Sequence, residues 1–200
     1  RDYYASRGLG DVYKRQHQKN LLRAVQAANP NTVLTVVSSY PYALGEAMEL
    51  LPAILYTTHA GPELGNAVAD TLLGKNNPAA RCPITWYRSA QDLPDIMEYD
   101  IISAERTYLY DTVEPLFPFG HGLSYSSFVY RDFTAEEKPE GMLFRLTVEN
   151  TSQRDGDEVV QLYYRALHPR VKRPLRQLCG FQRVPVPANT AVPVSYTHLT

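Results

Sequence analysis

The sequence lacks the features that would assign it to several common classes of protein. Its formal net charge is −1, so no excess of positive charge argues for nucleic acid or an anionic membrane surface. No apolar run reaches the roughly eighteen residues of a membrane span. The two cysteines, Cys82 and Cys179, form no metal or redox motif, and the histidines show no metal-ligand spacing. We therefore expect no nucleic acid, membrane, metal or other cofactor among its partners.

The two ends of the chain differ in character from the rest. Residues 1–16, which include "SRGLGDVYKRQ", and residues 195–200, "SYTHLT", resemble translated adapter sequence at the ends of assembled bacterial metagenomic reading frames. Neither an initiator Met nor a secretory signal is present at the start. We expect both ends to be non-native and the chain to be an internal fragment of a longer protein; an ordinary polar tail is the alternative. The compartment and the oligomeric state stay open.

The N-terminal half predicts an α/β layer with a parallel sheet. A helical pattern ends at "NPN", residues 29–31, and the nearly continuous apolar run "TVLTVVSS" follows, which is typical of a buried strand. "PAILYTT" predicts a second strand, and "HAGPELGNAVADTLLG" a turn and then a helix, with Pro62 at its first position and Gly74 at its end. Only two strands are clear, so we expect an incomplete sheet.

After Phe128 the apolar pattern changes to a period of two. "MLFRLTVEN" and "EVVQLYYRA" alternate as strands, with "TSQRDGDE" between them as a hairpin loop, and "LCGFQRVPVP" and "TAVPVSY" predict further strands. Residues 79–114 indicate loop with short strand pieces. The fold class is therefore a partial α/β sandwich followed by an all-β, immunoglobulin-like sandwich, truncated below its usual seven or so strands.

Candidate site residues follow the first predicted strand. The carboxyl ends of parallel strands are where α/β proteins gather ligands, so Ser38, Ser39, Tyr40 and Tyr42 are the candidates for lining a substrate pocket, with packing as the equal alternative.

The remaining polar groups favour structural interpretations. Glu63 and Asp70 share a predicted helix face, and exposure of that face to solvent explains them better than catalysis does; "DGDE" indicates a turn. "DLPDIMEYD" lacks the glycine and spacing of a calcium loop. His59 and His121 each stand beside a glycine in a loop. From the residues alone we assign no catalytic, metal or cofactor-binding residue.

Three ordered motifs resemble glycoside hydrolase family 3. They are "GPELGNAVADTLLGKNNPAARCPITWY", "PLFPFGHGLSYSSF" and "GDEVVQLYYRALHPRVKRPLRQLCGFQRV", the last being similar to the strand pair of that family's fibronectin type III-like domain. "ERTYLY" is similar to a segment of the β-xylosidase-like branch. The sequence departs from the family pattern at three positions: Ala80 and Glu105 stand where glycine is usual, and Cys82 stands where leucine is usual.

The resemblance implies a domain plan and an activity. Residues 17–114 would be the C-terminal part of the α/β domain, 115–128 an interdomain segment and 129–194 an incomplete fibronectin type III-like domain. The family hydrolyses β-linked glucosides or xylosides with retention, using two carboxyl groups about 5 Å apart. Its nucleophile and its acid/base would both lie upstream of this chain, which we expect to be inactive alone. The alternative is a carbohydrate-binding or structural β-sandwich module without catalysis.

Overall fold

The computed structural model describes residues 16–198, which form two compact units. One unit contains residues 16–64 and 82–119, and the other contains residues 65–81 and 120–198. Each unit therefore consists of two stretches of chain that are distant in sequence. The predicted leader lies outside the described residues except for Gln16, and the domain plan 17–114, 115–128 and 129–194 stays a prediction.

The first unit contains the predicted parallel sheet. Helix α1 (Gln16–Ala28) leads to strand β1 (Val33–Val37), and strand β2 (Ala53–Thr57) pairs with β1 in parallel, with Val33 opposite Ala53 and Val37 opposite Thr57. A short helix between the strands, α2 (Gly45–Leu50), was not predicted, because six residues give too little periodicity to detect. The α/β prediction for this region is confirmed.

A tryptophan occupies the centre of the first unit's core. Trp86 is 2% exposed and packs with Leu44, Ala47 and Leu51. Its backbone exchanges two hydrogen bonds with Phe117, with N···O distances of 2.8 and 3.2 Å. This isolated bridge is the strand-like pairing that forms at Trp86, within the described residues 79–114 where the sequence predicts short strand pieces. Burial of this ring holds the start of "PLFPFGHGLSYSSF" in place.

The segment before that motif is made of turns, not strand pieces. Within the described residues 88–114, the regular elements are a 3₁₀ turn at Ala90–Asp92 and helix α4 (Thr107–Tyr110). Arg106 ties the turns together, because its Nη2 donates to the backbone carbonyls of Asp95 and Glu98 at 2.5 and 2.7 Å. The prediction of short strands here is wrong, since the backbone amides bond to nearby acidic side chains instead of to another strand.

Glu105 adopts a backbone conformation that favours glycine. Its φ is 50°, in the left-handed region, where a Cβ costs about 1 kcal/mol or more. This is the position where the resemblance leads one to expect glycine. We predict that Glu105→Gly is more stable than Glu105→Ala by about 1 kcal/mol, because both lose the 2.7 Å bond from Thr112 Oγ1 but only glycine relieves the strain. Urea unfolding followed by fluorescence of Trp86 measures the difference.

An exposed helical position provides the control for that comparison. Glu49 lies in α2 with an exposed side chain. The Glu49→Ala variant should be more stable than Glu49→Gly by about 0.5–1 kcal/mol, because alanine is the better helix former. If the alanine variant were the more stable one at both positions, the left-handed geometry of Glu105 would be contradicted.

Helix α3 (Leu64–Leu72) leads into the second unit. It begins two residues after Pro62, slightly later than predicted, and Gly74 follows it with φ 73°, which confirms the predicted glycine stop. From Gly65 onward this segment belongs to the second unit. Residues 65–81 therefore continue the predicted α/β pattern in sequence but belong to the unit that contains the β-sandwich.

The second unit is a sandwich of two antiparallel sheets. Its strands are β3 (Phe128–Lys138), β4 (Gly141–Asn150), β5 (Gly156–Tyr164), β6 (Gln177–Val186) and β7 (Ala191–His198). One sheet has the order β3-β4-β7 and the other pairs β5 with β6. Buried valines from both sheets form the core: Val148, Val160, Val184, Val186 and Val194. The all-β prediction is confirmed.

Two details of the sandwich differ from the sequence-based prediction. Strand β3 was missed, because a bulge between Arg131 and Thr134, with Asp132 at φ 55°, breaks the alternation. "TSQRDGDE" is not a hairpin loop, since β4 and β5 lie in different sheets and the loop crosses between them. Within the predicted non-native tail, Ser195–His198 belong to β7 and pair with β4.

Asn77 anchors residues 65–81 to the rest of the second unit. Its Oδ1 accepts from Ser124 Oγ and Tyr125 N, both at 2.9 Å. Its Nδ2 donates to Ser126 Oγ at 2.9 Å and to the Asp155 carbonyl at 2.8 Å. These four bonds use the full hydrogen-bonding capacity of the amide. The second half of "PLFPFGHGLSYSSF" is thus fixed by a residue more than 40 positions upstream.

Replacing Asn77 by alanine should lower the free energy of unfolding by about 2–3 kcal/mol. Its four partners would lose their bonds inside a partly buried site, and each net bond contributes about 0.5–1.5 kcal/mol. Urea titration followed by far-ultraviolet circular dichroism measures the change. Asn76→Ala is the control, because Asn76 Nδ2 makes one 3.2 Å bond to Thr71 Oγ1 and its loss should cost under about 1 kcal/mol. Equal losses for the two variants would contradict the anchoring role of Asn77.

A buried ion pair joins the same segment to β5. Arg81 Nη2 and Glu158 Oε2 are 2.5 Å apart, with side chains 12% and 10% exposed. Tyr130 Oη donates to the other carboxylate oxygen at 2.7 Å, and burial together with this bond raises the pKa of the tyrosine. Glu158 was predicted as part of a turn, and it is instead a buried strand residue.

None of the helices within residues 16–198 combines the length and the apolar character needed to cross a membrane.

Candidate functional site

The carboxyl edge of the β1–β2 sheet brings a serine and a histidine together. Ser39 and His59 each follow the end of their strand by two positions, and the last paired residues, Val37 and Thr57, are in register. The Ser39 Oγ and His59 Nδ1 atoms are 2.9 Å apart. Both side chains are exposed, so this pair is accessible to a ligand.

Ser38 uses its hydroxyl within the turn. The side chain is 1% exposed, and its Oγ donates a hydrogen bond to the Tyr40 carbonyl oxygen at 2.8 Å. The same Ser38 Oγ accepts a hydrogen bond from the Tyr40 amide at 3.2 Å. The Ser38 amide extends the sheet by donating to the Thr57 carbonyl at 3.0 Å. These contacts favour a structural role for Ser38, while its place in a substrate pocket stays a prediction.

The two candidate tyrosines differ in their surroundings. Tyr40 is 44% exposed, whereas Tyr42 packs against the core around Trp86. Their ring centroids are 5.8 Å apart at an angle of 47°, so the rings form a tilted contact and not a flat platform. Of the four candidates, Ser39 and Tyr40 are thus the ones that offer an accessible surface, and their role in binding stays a prediction.

The Ser39–His59 pair lacks the third member of a catalytic triad. In the part of the chain that the structure describes, no carboxylate is hydrogen-bonded to His59, and nothing orients the imidazole as a general base requires. The pair can instead donate and accept hydrogen bonds from a hydroxylated ligand. Sequence reasoning left His59 out of the site, although its offset from the end of β2 equals that of Ser39 from β1.

Several exposed or half-buried acidic residues serve local structure. Asp70 forms a 3.3 Å ion pair with Lys75. Asp92 Oδ2 accepts from the Ser89 amide, Asp95 Oδ1 from the Met97 amide, and Glu98 Oε1 from the Asp100 amide, each at 2.9 Å. Among residues 16–198, no group of three or more His, Cys, Asp or Glu side chains is placed to hold a metal ion.

One acidic residue is buried within the described chain. Glu158 is 8% exposed, and both of its carboxylate oxygens are already bonded, one to Arg81 and one to Tyr130. A carboxylate in such an ion pair is not available to a substrate. Glu158 is therefore not a candidate for the catalytic nucleophile or acid/base.

The apolar cavity of the second unit does not suit a sugar. It has a volume of about 320 Å³ and opens between the two sheets. Phe144, Leu146, Val160 and Leu162 are among its lining residues. Such a surface fits apolar side chains better than it fits hydroxyl groups.

Family comparison assigns the chain on the basis of both regions. The model of the glycosyl hydrolase family 3 C-terminal domain matches residues 9–125, and that of the fibronectin type III-like domain matches residues 158–198. The chain belongs to glycosyl hydrolase family 3. The first match covers the parallel sheet and its carboxyl edge, and the second covers β5 from Glu158 onward together with β6 and β7.

Relatives within family 3 agree in sequence and in fold. A probable β-glucosidase J of Aspergillus fumigatus is 37% identical over 200 residues, which is 90% of this chain and 23% of that protein. A xylan 1,4-β-xylosidase of Xylanibacter ruminicola is 36% identical over 173 residues, which is 86% of this chain and 20% of that protein. A β-glucosidase crystal structure from Kluyveromyces marxianus superimposes with a TM-score of 0.81 at 32% identity, over 90% of this chain and 23% of that one.

The chain thus spans between a fifth and a quarter of the length of these family 3 relatives. Its own residues form the family's C-terminal α/β region and its fibronectin type III-like region. The activity of the longer relatives does not transfer to this chain without further argument.

Proposed function

We propose that this chain is the C-terminal part of a retaining β-glycosidase that hydrolyses β-linked glucosides or xylosides. Family membership is the observation that carries the proposal, because the relatives named above are a β-glucosidase and a xylosidase. The reaction requires a nucleophilic carboxylate and a second carboxyl group as acid and then base, about 5 Å apart. In this proposal both belong to segments of the complete enzyme outside the chain.

The role of the chain in that enzyme is to support the sugar site. The carboxyl edge of β1 and β2 presents Ser39, Tyr40 and His59, groups that can hydrogen-bond a sugar hydroxyl. A hydroxyl and an imidazole can both form hydrogen bonds with the hydroxyl groups of the glycosides that the family hydrolyses. No cofactor takes part in this chemistry.

A carbohydrate-binding module without catalysis is the rival function. It requires a flat platform of exposed aromatic rings. On β5, Tyr164 is 52% exposed but Tyr163 is half-buried, with its hydroxyl donating to Gln161 Oε1 at 2.7 Å. The adjacent tyrosines do not form a platform, which favours the glycosidase.

The chain alone should not hydrolyse nitrophenyl β-glucoside or nitrophenyl β-xyloside above the buffer rate. Replacing the matched segment of the Kluyveromyces β-glucosidase by residues 17–194 should give an active chimera, while the same enzyme without that segment should be inactive. Turnover by the isolated chain would contradict the proposal that both catalytic carboxyl groups belong to other segments of the enzyme. A folded but inactive chimera would contradict the supporting role.

A further inference from the structure

A long loop between β5 and β6 carries a concentration of positive charge. Residues 165–176, which we call the basic loop, contain five of the chain's 20 Lys and Arg residues and none of its 21 acidic residues. The rest of the chain is left with 15 basic and 21 acidic residues. The basic loop therefore opposes the charge of the protein that carries it.

The basic charges are presented to solvent. Every residue of the basic loop except Pro174 is exposed. Within the described chain, Arg165, Arg170 and Arg173 make no ion pair and no side-chain hydrogen bond, whereas other arginines of the same unit, such as Arg131 and Arg183, pair with carboxylates. These three guanidinium groups are available to an anionic partner.

The paired ends of the basic loop and its two prolines restrict the positions that its charged side chains can take. Paired residues Tyr164 and Gln177 close it at the ends of β5 and β6, and Pro169 and Pro174 restrict its backbone. The Arg176 guanidinium lies 6.0 Å from the ring centroid of Tyr163, which fixes the base of the loop. Twelve residues is long for a hairpin connection, and loops of about this length or more are commonly functional.

From these observations we infer that the basic loop binds a carboxylate-bearing polysaccharide, one in which uronate groups decorate or form the chain. Guanidinium groups recognise carboxylates with two parallel hydrogen bonds, which ammonium groups cannot match. The choice of a carbohydrate over another polyanion rests on the proposed function, whereas the choice of an anion rests on the loop alone. The basic loop belongs to the second unit, whereas the carboxyl edge of the β1–β2 sheet belongs to the first.

Glucuronoxylan, compared with the same polymer after reduction of its carboxyl groups, provides the test. Affinity electrophoresis at low ionic strength should show that the full chain is retarded by glucuronoxylan but not by the reduced polymer. Physiological salt should weaken the retardation, because exposed charges are screened over about 8 Å. Equal retardation by the two polymers, or none by either, would overturn the inference. Because no hydrolysis is measured, the result is independent of glycosidase activity.

Two variants of equal charge locate the surface. The triple variant Arg165→Gln, Arg170→Gln, Arg173→Gln should bind at least about tenfold more weakly, since each exposed charge contact is weak but three add. The control variant Arg131→Gln, Arg145→Gln, Arg183→Gln removes the same charge from strand surfaces and should change binding less than about twofold. Thermal melting confirms that both are folded. Equal losses in the two variants, or tighter binding of duplex DNA than of glucuronoxylan, would overturn the inference.

Discussion

Replacing Glu158 by alanine is expected to lower the free energy of unfolding by about 3–5 kcal/mol. Removing one partner of a buried ion pair leaves the other charge without compensation, and Arg81 would remain beside β5 with its Nη1 bonded only to the carbonyls of Ala79 and Ala80. Tyr130 would lose its acceptor as well. Urea unfolding followed by circular dichroism measures the loss.

Two comparisons separate burial from charge in this prediction. Asp157 is next to Glu158 and pairs with Arg183 at 2.6 Å on an exposed surface, so Asp157→Ala should cost less than about 1 kcal/mol. The double variant Arg81→Met, Glu158→Leu removes both buried charges and should be more stable than Glu158→Ala. A loss for Glu158→Ala no larger than that for Asp157→Ala would contradict the buried pair.

The tyrosine that bonds to Glu158 provides a second measurement. Burial and the bond to Glu158 both raise the pKa of Tyr130. Glu158→Ala removes the second cause, so the pKa of that tyrosine should move back toward its usual value. Nuclear magnetic resonance titration of the assigned Tyr130 ring detects the shift, and an unchanged pKa would contradict the hydrogen bond to Glu158.

Replacing Gly122 by alanine should lower the free energy of unfolding by about 3 kcal/mol. A Cβ at this position would lie 2.2 Å from the Ala80 carbonyl oxygen and 3.0 Å from both Cδ and Nη1 of Arg81. The nearest obstacle is backbone, which cannot rotate away as a flexible side chain can, and overpacking of this kind costs about 1–3 kcal/mol, occasionally more. Calorimetric melting and urea titration both measure the loss.

Gly65→Ala is the matched control. No atom lies within 4 Å of a Cβ at Gly65, which is inside helix α3. Gly65 is the second residue of α3, so alanine there should stabilise the protein by no more than the roughly 0.5–1 kcal/mol found in a helix interior. Destabilisation of both variants by the same amount would show that the effect at Gly122 does not come from its contact with Ala80.

The elements that sequence alone predicts are those with strong local signals. The apolar runs that became β1 and β2 need no partner to be recognised, and Gly74 marks a helix end by its own conformational freedom. Strand β3 escapes because the bulge at Asp132 interrupts its alternation. The crossing from β4 to β5 escapes because "TSQRDGDE" has the composition of a hairpin turn, and turn composition does not tell which strands pair.

The candidate site shows the same division. The rule that ligands gather after parallel strands predicts Ser38, Ser39, Tyr40 and Tyr42 as candidates, because one strand is enough to apply it. The contact of His59 with Ser39 depends on the register between two strands, and the four bonds of Asn77 depend on partners 47 to 78 residues away. Pairings of this kind are set by the packed structure, and no window along the chain contains both members.

The long separation of those pairings has a consequence for the rate of folding. Arg81 meets Glu158 across 77 residues, and Asn77 meets the Asp155 carbonyl across 78. Closing such loops costs entropy before any contact compensates for it, and proteins dominated by non-local contacts fold slowly. The pairs β3–β4 and β5–β6 are local and can form first. The docking of residues 65–81 is therefore the expected slow step, and during synthesis it cannot begin until β5 has emerged from the ribosome.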